Sequence, residues 1–176
     1  MKTIAVLTLV ATIAEAEPTN NCLQFGFSGS NYGIGFTAKY LRKIFPIPEF
    51  YPVYIGGEIR SEEKLDFAKT NFSEGKHTFR IPIGILGVED YYYLGFESGV
   101  SFTTFDLHGE LISSDCQGGF SCEFEYKRFQ KSGIGIPLEG DFGLKFKNVG
   151  IGVAYGYDIN SYSSSSYYQF KLFVGI

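Results

Sequence analysis

Two histidines, His77 and His108, are the only imidazoles in the chain and so bound any acid–base or nucleophilic chemistry it could carry. His108 stands in the run Asp106-Leu107-His108-Gly109-Glu110, with Ser113 and Ser114 a few positions on. A hydrolase needs an acid, an imidazole and a hydroxyl in mutual reach. Nearness along a loop does not align them, and the reading taken is that both histidines are solvated groups at one rim of the fold and that the chain is not an enzyme. Structural zinc takes four ligands, mostly Cys and His, so no metal is expected, and no cofactor. Gly133-Ile134-Gly135 and Gly150-Ile151-Gly152 have the spacing of a phosphate loop, but neither opens a helix. Asn71-Phe72-Ser73 would be a glycosylation acceptor only in a eukaryotic secretory context.

Ten charged residues form the second candidate constellation: Lys39, Glu58, Arg60, Arg80, Glu97, Glu139, Asp141, Lys145, Asp158 and Lys171. Each falls on the less apolar face of an alternating segment, and positive and negative members are equal in number. Isolated charges in a confined interior are costly, so balance implies paired networks. Arg80 and Glu97 lie on consecutive segments and are expected to meet; Lys145 with Asp158 is a less determined pair of the same kind.

The elements that must position these residues are strands. Tyr and Phe number 13 and 18, Gly reaches 22, and Met occurs once; aromatic and β-branched residues favour pleated strands while Gly weakens helices. From Cys22 onward bulky residues recur at every second position. Eight segments show this alternation, among them Leu23, Phe25 and Phe27; Phe79, Ile81, Ile83 and Ile85; and Val149, Ile151, Val153, Tyr155 and Tyr157. In a soluble sandwich the bulky face turns inward. Here the other face mixes glycines with single charges of both signs, which suits the narrow lumen of a small closed barrel, with the bulky face toward lipid. The sequence therefore predicts an all-β, eight-stranded, antiparallel up-and-down transmembrane β-barrel.

Loop lengths agree with a barrel that begins and ends in the periplasm. The outer connections fall at Ser28–Asn31, Ser61–Lys76, Asp106–Ser132 and Asn160–Ser166, and the inner ones at Leu41–Phe50, Gly87–Asp90 and Lys147–Asn148. Within the third outer connection, Phe120 to Tyr126 alternates again, as a strand extension above the membrane or a ninth spanning strand.

Residues 1–16 read as a signal peptide: Lys2, an apolar run from Ile4 to Ala14, and Ala14-Glu15-Ala16 as the cleavage signal. The barrel then occupies 17–176. Export permits disulfides. Cys116 and Cys122 flank a flexible stretch and could close a small loop, leaving Cys22 odd, or all three could stay unpaired. Thr19-Asn20-Asn21 before Cys22 does not look like a lipoprotein signal. A net charge of −4 argues against nucleic acid as a partner.

The mature region resembles the small outer-membrane barrels of the OmpA and OmpX type, and most resembles the porin-like outer-membrane β-barrel proteins of Bacteroidetes and related bacteria. The resemblance rests on Phe79 to Ile85 followed by Tyr91 to Val100, and on Gly135 to Leu138 with Lys145 to Tyr155. It implies outer-membrane lipid and lipopolysaccharide around the barrel, recognition by the barrel-insertion machinery, and a monomer. Ile176 departs from the terminal Phe common in such proteins. Lipid A deacylases of this general shape carry a Ser two positions after their His, where this chain has Phe79.

The resulting expectation is a non-enzymatic barrel with a charge-plugged lumen, whose outer loops serve surface contact, envelope integrity or binding of a host ligand. Two alternatives stand beside it: an outer-membrane lipid hydrolase with a rim active site, and a soluble secreted lipocalin-like barrel.

Overall fold

A chain that alternates bulky and small side chains can bury the small set only if it is extended and paired on both edges, and closing the sheet on itself meets that need without leaving a free edge. A computed structural model describes residues 21–45, 52–64, 69–70, 72–117 and 121–175. The expected leader, half of the first inner connection (46–50), Phe120 and Ile176 lie outside the described residues. Nine strands follow in order: β1 (Asn21–Ser30), β2 (Gly33–Phe45), β3 (Val53–Glu63), β4 (Lys69–Thr70), β5 (Gly75–Val88), β6 (Tyr92–Gln117), β7 (Ser121–Phe146), β8 (Val149–Asn160) and β9 (Ser165–Val174).

Eight of them form one antiparallel up-and-down ring. The order β7-β6-β5-β3-β2-β1-β9-β8 returns to β7, and the first and last strands pair through contacts such as Phe25 with Leu172. The two-residue β4 is not part of the ring; it lies parallel to β7 at Glu123 and Phe124.

The bulky face points outward. Phe27 is 74% exposed and Leu94 60%, and rows of further Phe, Ile and Leu side chains are exposed beside them, while Arg80 and Tyr93 are fully buried. The rows of exposed aliphatics and aromatics are what a barrel presents to hydrocarbon. Inside, two glycines make room for a ring: a Cβ on Gly143 or Gly152 would lie 2.3 or 1.8 Å from the Tyr93 hydroxyl.

The connections are tighter than the sequence suggests. β1 and β2 meet at an Asn31-Tyr32 turn, and β8 and β9 are joined by 161–164. Lys147, at φ 56°, makes the two-residue turn between β7 and β8. The third outer connection is mostly strand. β6 and β7 stay paired to Gln117 and Ser121, so the described part of Phe120–Tyr126 extends a spanning strand and is not a ninth one. β3 reaches Glu63 and β5 begins at Gly75, which moves Glu62 and Lys76 out of the expected loop and into the barrel wall.

Candidate functional site

Within the ring, alternate residues from all eight strands converge on the lumen, which is filled at three heights. At the inner end Cys22, Leu41, Leu86, Tyr93 and Phe173 form an apolar cluster. The Tyr93 and Phe173 rings pack at 4.1 Å, tilted by 55°.

Above it lies the ionic layer, with Glu139 at its hub. This carboxylate accepts from Lys39 Nζ at 2.7 Å, Arg80 Nη1 at 2.6 Å, the Tyr167 hydroxyl at 2.8 Å and Lys171 Nζ. Glu58 takes Arg80 at 2.9 Å and Gln169 at 3.0 Å, with Lys39 at 3.4 Å. Glu97 pairs with Lys39 at 2.7 Å, and Asp141 with Lys171. Carboxylate oxygens of Glu58, Glu97 and Glu139 lie within 4.8 Å of one another. Lys39 contacts all three acids and Arg80 two of them, so the positions a metal would take are held by the chain's own cations.

Nearer the outer end, Asp158 accepts from Ser101 at 2.7 Å and lies 4.0 Å from Lys76. Arg60 stacks on the Tyr167 ring at 3.7 Å and approaches Glu62 at 3.7 Å. Phe105 closes the top between Tyr32 and Tyr162, at 5.0 and 5.2 Å.

Nine of the ten charges singled out in the sequence are buried here: Lys39, Glu58, Arg60, Arg80, Glu97, Glu139, Asp141, Asp158 and Lys171. Lys145 is not among them. It sits opposite Gly150 beside the inner turn, half-buried, and makes no ion pair among the described residues. The expected Arg80–Glu97 pair is also absent. Arg80 registers with Ser101 and Glu97 with Gly84, two rows lower, so Glu97 finds Lys39 across the lumen, while Arg80 meets Glu58 directly opposite on β3 and Glu139 across the lumen. Lys76 and Glu62 join these lumen charges, which makes five cations and six anions over the two heights. Tyr167 was missed although strict alternation back from Gln169 places it inward.

The two histidines separate. His108 is a structural group: its Nε2 lies 2.7 Å from the Phe72 carbonyl, its amide donates to Glu74 at 3.0 Å, and its ring stacks on Tyr126 at 4.3 Å. Ser113 donates to Glu125 instead of meeting it. His77 faces outward and meets two groups from neighbouring strands. The Ser61 hydroxyl is 2.9 Å from Nδ1 and Asp106 Oδ2 is 3.6 Å from Nε2. Asp106 is held in turn by a two-point contact from Arg128, at 2.6 and 3.1 Å, and by Gln130 at 3.0 Å. Those hydrogen bonds, chiefly from Arg128, keep its carboxyl below the ordinary range. No local signal relates Ser61 to His77, because their adjacency depends on cross-strand register.

Cys116 and Cys122 form a disulfide at the tip of the β6–β7 hairpin, and Cys22 is a buried free thiol in the inner cluster.

The ring, its eight antiparallel strands and its apolar exterior settle the class. The chain has the fold of a small outer-membrane β-barrel. Among solved structures, Ail, the attachment invasion locus protein of Yersinia pestis, superposes with a TM-score of 0.57 at 12% identity, over 88% of this chain and 96% of Ail. A second structure of Ail, in complex with the heparin analogue sucrose octasulfate, gives 0.58 at 11%. The N-terminal β-barrel domain of Pseudomonas aeruginosa OprF gives 0.58 at 7% identity, over 90% of this chain and 98% of that domain. No protein-family model and no curated protein sequence matches the chain. The fold is accordingly that of the small outer-membrane barrels of the OmpA and OmpX type, and the lipocalin-like alternative falls with the outward-facing apolar wall.

Proposed function

We propose that this barrel does not transport solute and works at the cell surface through its raised hairpin, as a contact or envelope-integrity protein. The observation that carries the reading is the length of β6 and β7. β5 leaves β6 at Asp106 and β8 leaves β7 at Gly135. Beyond them Leu107–Gln117 and Ser121–Phe129 pair with each other, and at about 3.3 Å per residue this arm is roughly 30–35 Å long. Its base is buttressed by the connection before β5, through Phe72 and Glu74 on His108, and β4 of the same connection pairs with β7 higher up, at Glu123 and Phe124. Its tip is closed by Cys116–Cys122.

An arm stiffened at both ends presents a surface with little ordering cost on binding. The described part carries Glu110, Asp115, Glu123 and Glu125 against Lys127 and Arg128, with Leu111 and Ile112 exposed. That balance favours a basic partner surface and disfavours a sulfated glycan such as the heparin analogue bound by Ail. The filled lumen supports the absence of transport, since a barrel of eight strands has just enough interior for its side chains. The surrounding partners in this reading are outer-membrane lipid, lipopolysaccharide and the insertion machinery. Kinship with the porin-like barrels of Bacteroidetes belongs to the same proposal.

The test uses the barrel in lipid nanodiscs, intact or with residues 109–127 replaced by a short turn, on surfaces coated with polylysine or heparin. Adherence to polylysine alone, lost on trimming, is expected. Equal adherence of the trimmed barrel, or preference for heparin, refutes the contact reading. Large single-channel steps in planar bilayers refute the closed lumen.

A further inference from the structure

The outer wall changes character between two neighbouring rows of paired residues. Ala38, Ile59, Phe79, Phe102 and Ile134 face outward side by side on five adjacent strands. The next row toward the cell exterior is Phe36, Ser61, His77, Thr104 and Ser132. The row after that runs Ile34, Glu63, Gly75, Asp106 and Gln130, polar on β3, β6 and β7. Hydrocarbon contact ends where the polar row begins, so Ser61 and His77 lie at the level of the headgroup boundary, where acyl chains join their ester carbonyls. A groove of about 720 Å³ runs across both rows, with Phe36, Ile59, Phe79, Phe102 and Ile134 as its apolar lining and Thr104 and Ser132 on its polar side.

We infer that Ser61 and His77 form a catalytic pair, positioned by Asp106, that hydrolyses carboxylic esters of membrane lipids held in this groove. This goes beyond surface contact by the hairpin, replaces the expectation that neither histidine is catalytic, and rests on the outer-membrane placement alone. Three side chains from β3, β5 and β6 stand in the order hydroxyl, imidazole, carboxylate, the order in which a nucleophile is activated by a base that a carboxylate orients. The Ser61 oxygen attacks the ester carbonyl while His77 Nδ1 takes its proton. The tetrahedral intermediate collapses with rupture of the bond to the alkoxy oxygen, which leaves as the alcohol with the proton from His77. Water, deprotonated by the same nitrogen, then attacks the acyl-Ser61 ester. The products are a fatty acid and the deacylated lipid, and Ser61 regains its proton. Asp106 takes no part in bond making. Fixed by Arg128 and Gln130, its Oδ2 stands 3.6 Å from His77 Nε2 and favours the imidazolium that forms in the transition state.

The experiment uses the full mature barrel, refolded in detergent mixed with phosphatidylcholine, with folding verified for each variant by heat-modifiable gel mobility. Fatty acid release and intact-mass labelling by a fluorophosphonate are read together. The expected results are label on Ser61 and turnover that falls about 10²–10⁴-fold in Ser61→Ala and in His77→Gln. His108→Gln should retain full activity. Asp106→Asn should lower kcat and leave KM nearly unchanged, because this carboxylate orients His77 and does not touch the lipid. No release and no label from the folded unmodified protein, or release unchanged in folded Ser61→Ala, overturns the inference. The outcome is independent of the adherence test, which depends on residues 109–127.

Discussion

Replacing Glu139 by Gln keeps the side-chain volume and removes the one charge that three cations share. Lys39, Arg80 and Lys171 all bind this carboxylate, and Tyr167 donates to it as well. At an effective dielectric constant near 20, each close pair is worth about 4 kcal/mol of attraction. Burying the carboxylate itself costs several kcal/mol, which the substitution recovers. None of the cations is left alone: Lys39 retains Glu58 and Glu97, Arg80 retains Glu58, and Lys171 retains Asp141. Three lost attractions against one recovered desolvation, softened by those remaining partners, leave a net destabilisation of about 3–5 kcal/mol. Glu97→Gln is the internal control, since Glu97 binds Lys39 alone and Lys39 keeps two other acids. Its loss should be about 2 kcal/mol or less. The chain has no Trp, so the folded fraction is best read from gel mobility of unheated samples across a urea series in lipid vesicles. Equal losses for the two variants, or a Glu139→Gln barrel as stable as the unmodified one, would refute the shared-hub account.

Val153 lies midway along β8 and is 53% exposed, so Val153→Arg should cost roughly 2–4 kcal/mol of barrel stability in the same assay; a neutral result would contradict the outward orientation. The low-lying carboxyl of Asp106 gives the base of the hairpin a pH dependence of known sign. Its folded value is depressed, so its contribution is complete above the ordinary carboxylate range near about 4 and is lost as pH falls through the lowered folded value. Amide NMR signals of Leu107–Phe129 in nanodiscs should therefore be unchanged from neutral pH down to that range and broaden below it. Asp106→Asn should remove the transition, and a transition centred well above pH 4 in the unmodified protein would count against the Arg128 contact as its source.

Period-two alternation is a local property, and it carried most of the fold. Which residues face lipid, which face the lumen, and the number of spanning strands all follow from counting by twos, because an extended chain sends successive side chains to opposite faces. The inward placement of Lys39, Glu58 and Glu139 was legible in this way. So was the outward placement of His77, although nothing local connected it to Ser61.

Height was not legible, because alternation is unchanged when a strand slides by two residues. Arg80 and Glu97 share a face and neighbouring strands, yet they sit two rows apart, and Lys39 meets Glu139 from the far side of the ring at a sequence separation of 100. The sequence pattern places Lys76 and Glu62 in a loop, because charge and Gly75 interrupt the apolar alternation, but backbone pairing continues past the point where the lipid ends. Lys145 alternates correctly and still escapes the network, since it stands below the ionic layer at the inner turn. The sequence by itself determined the faces of the strands. Closure of the ring, which fixes the stagger of eight strands at once, decided which charges share a layer and which hydroxyl stands beside His77.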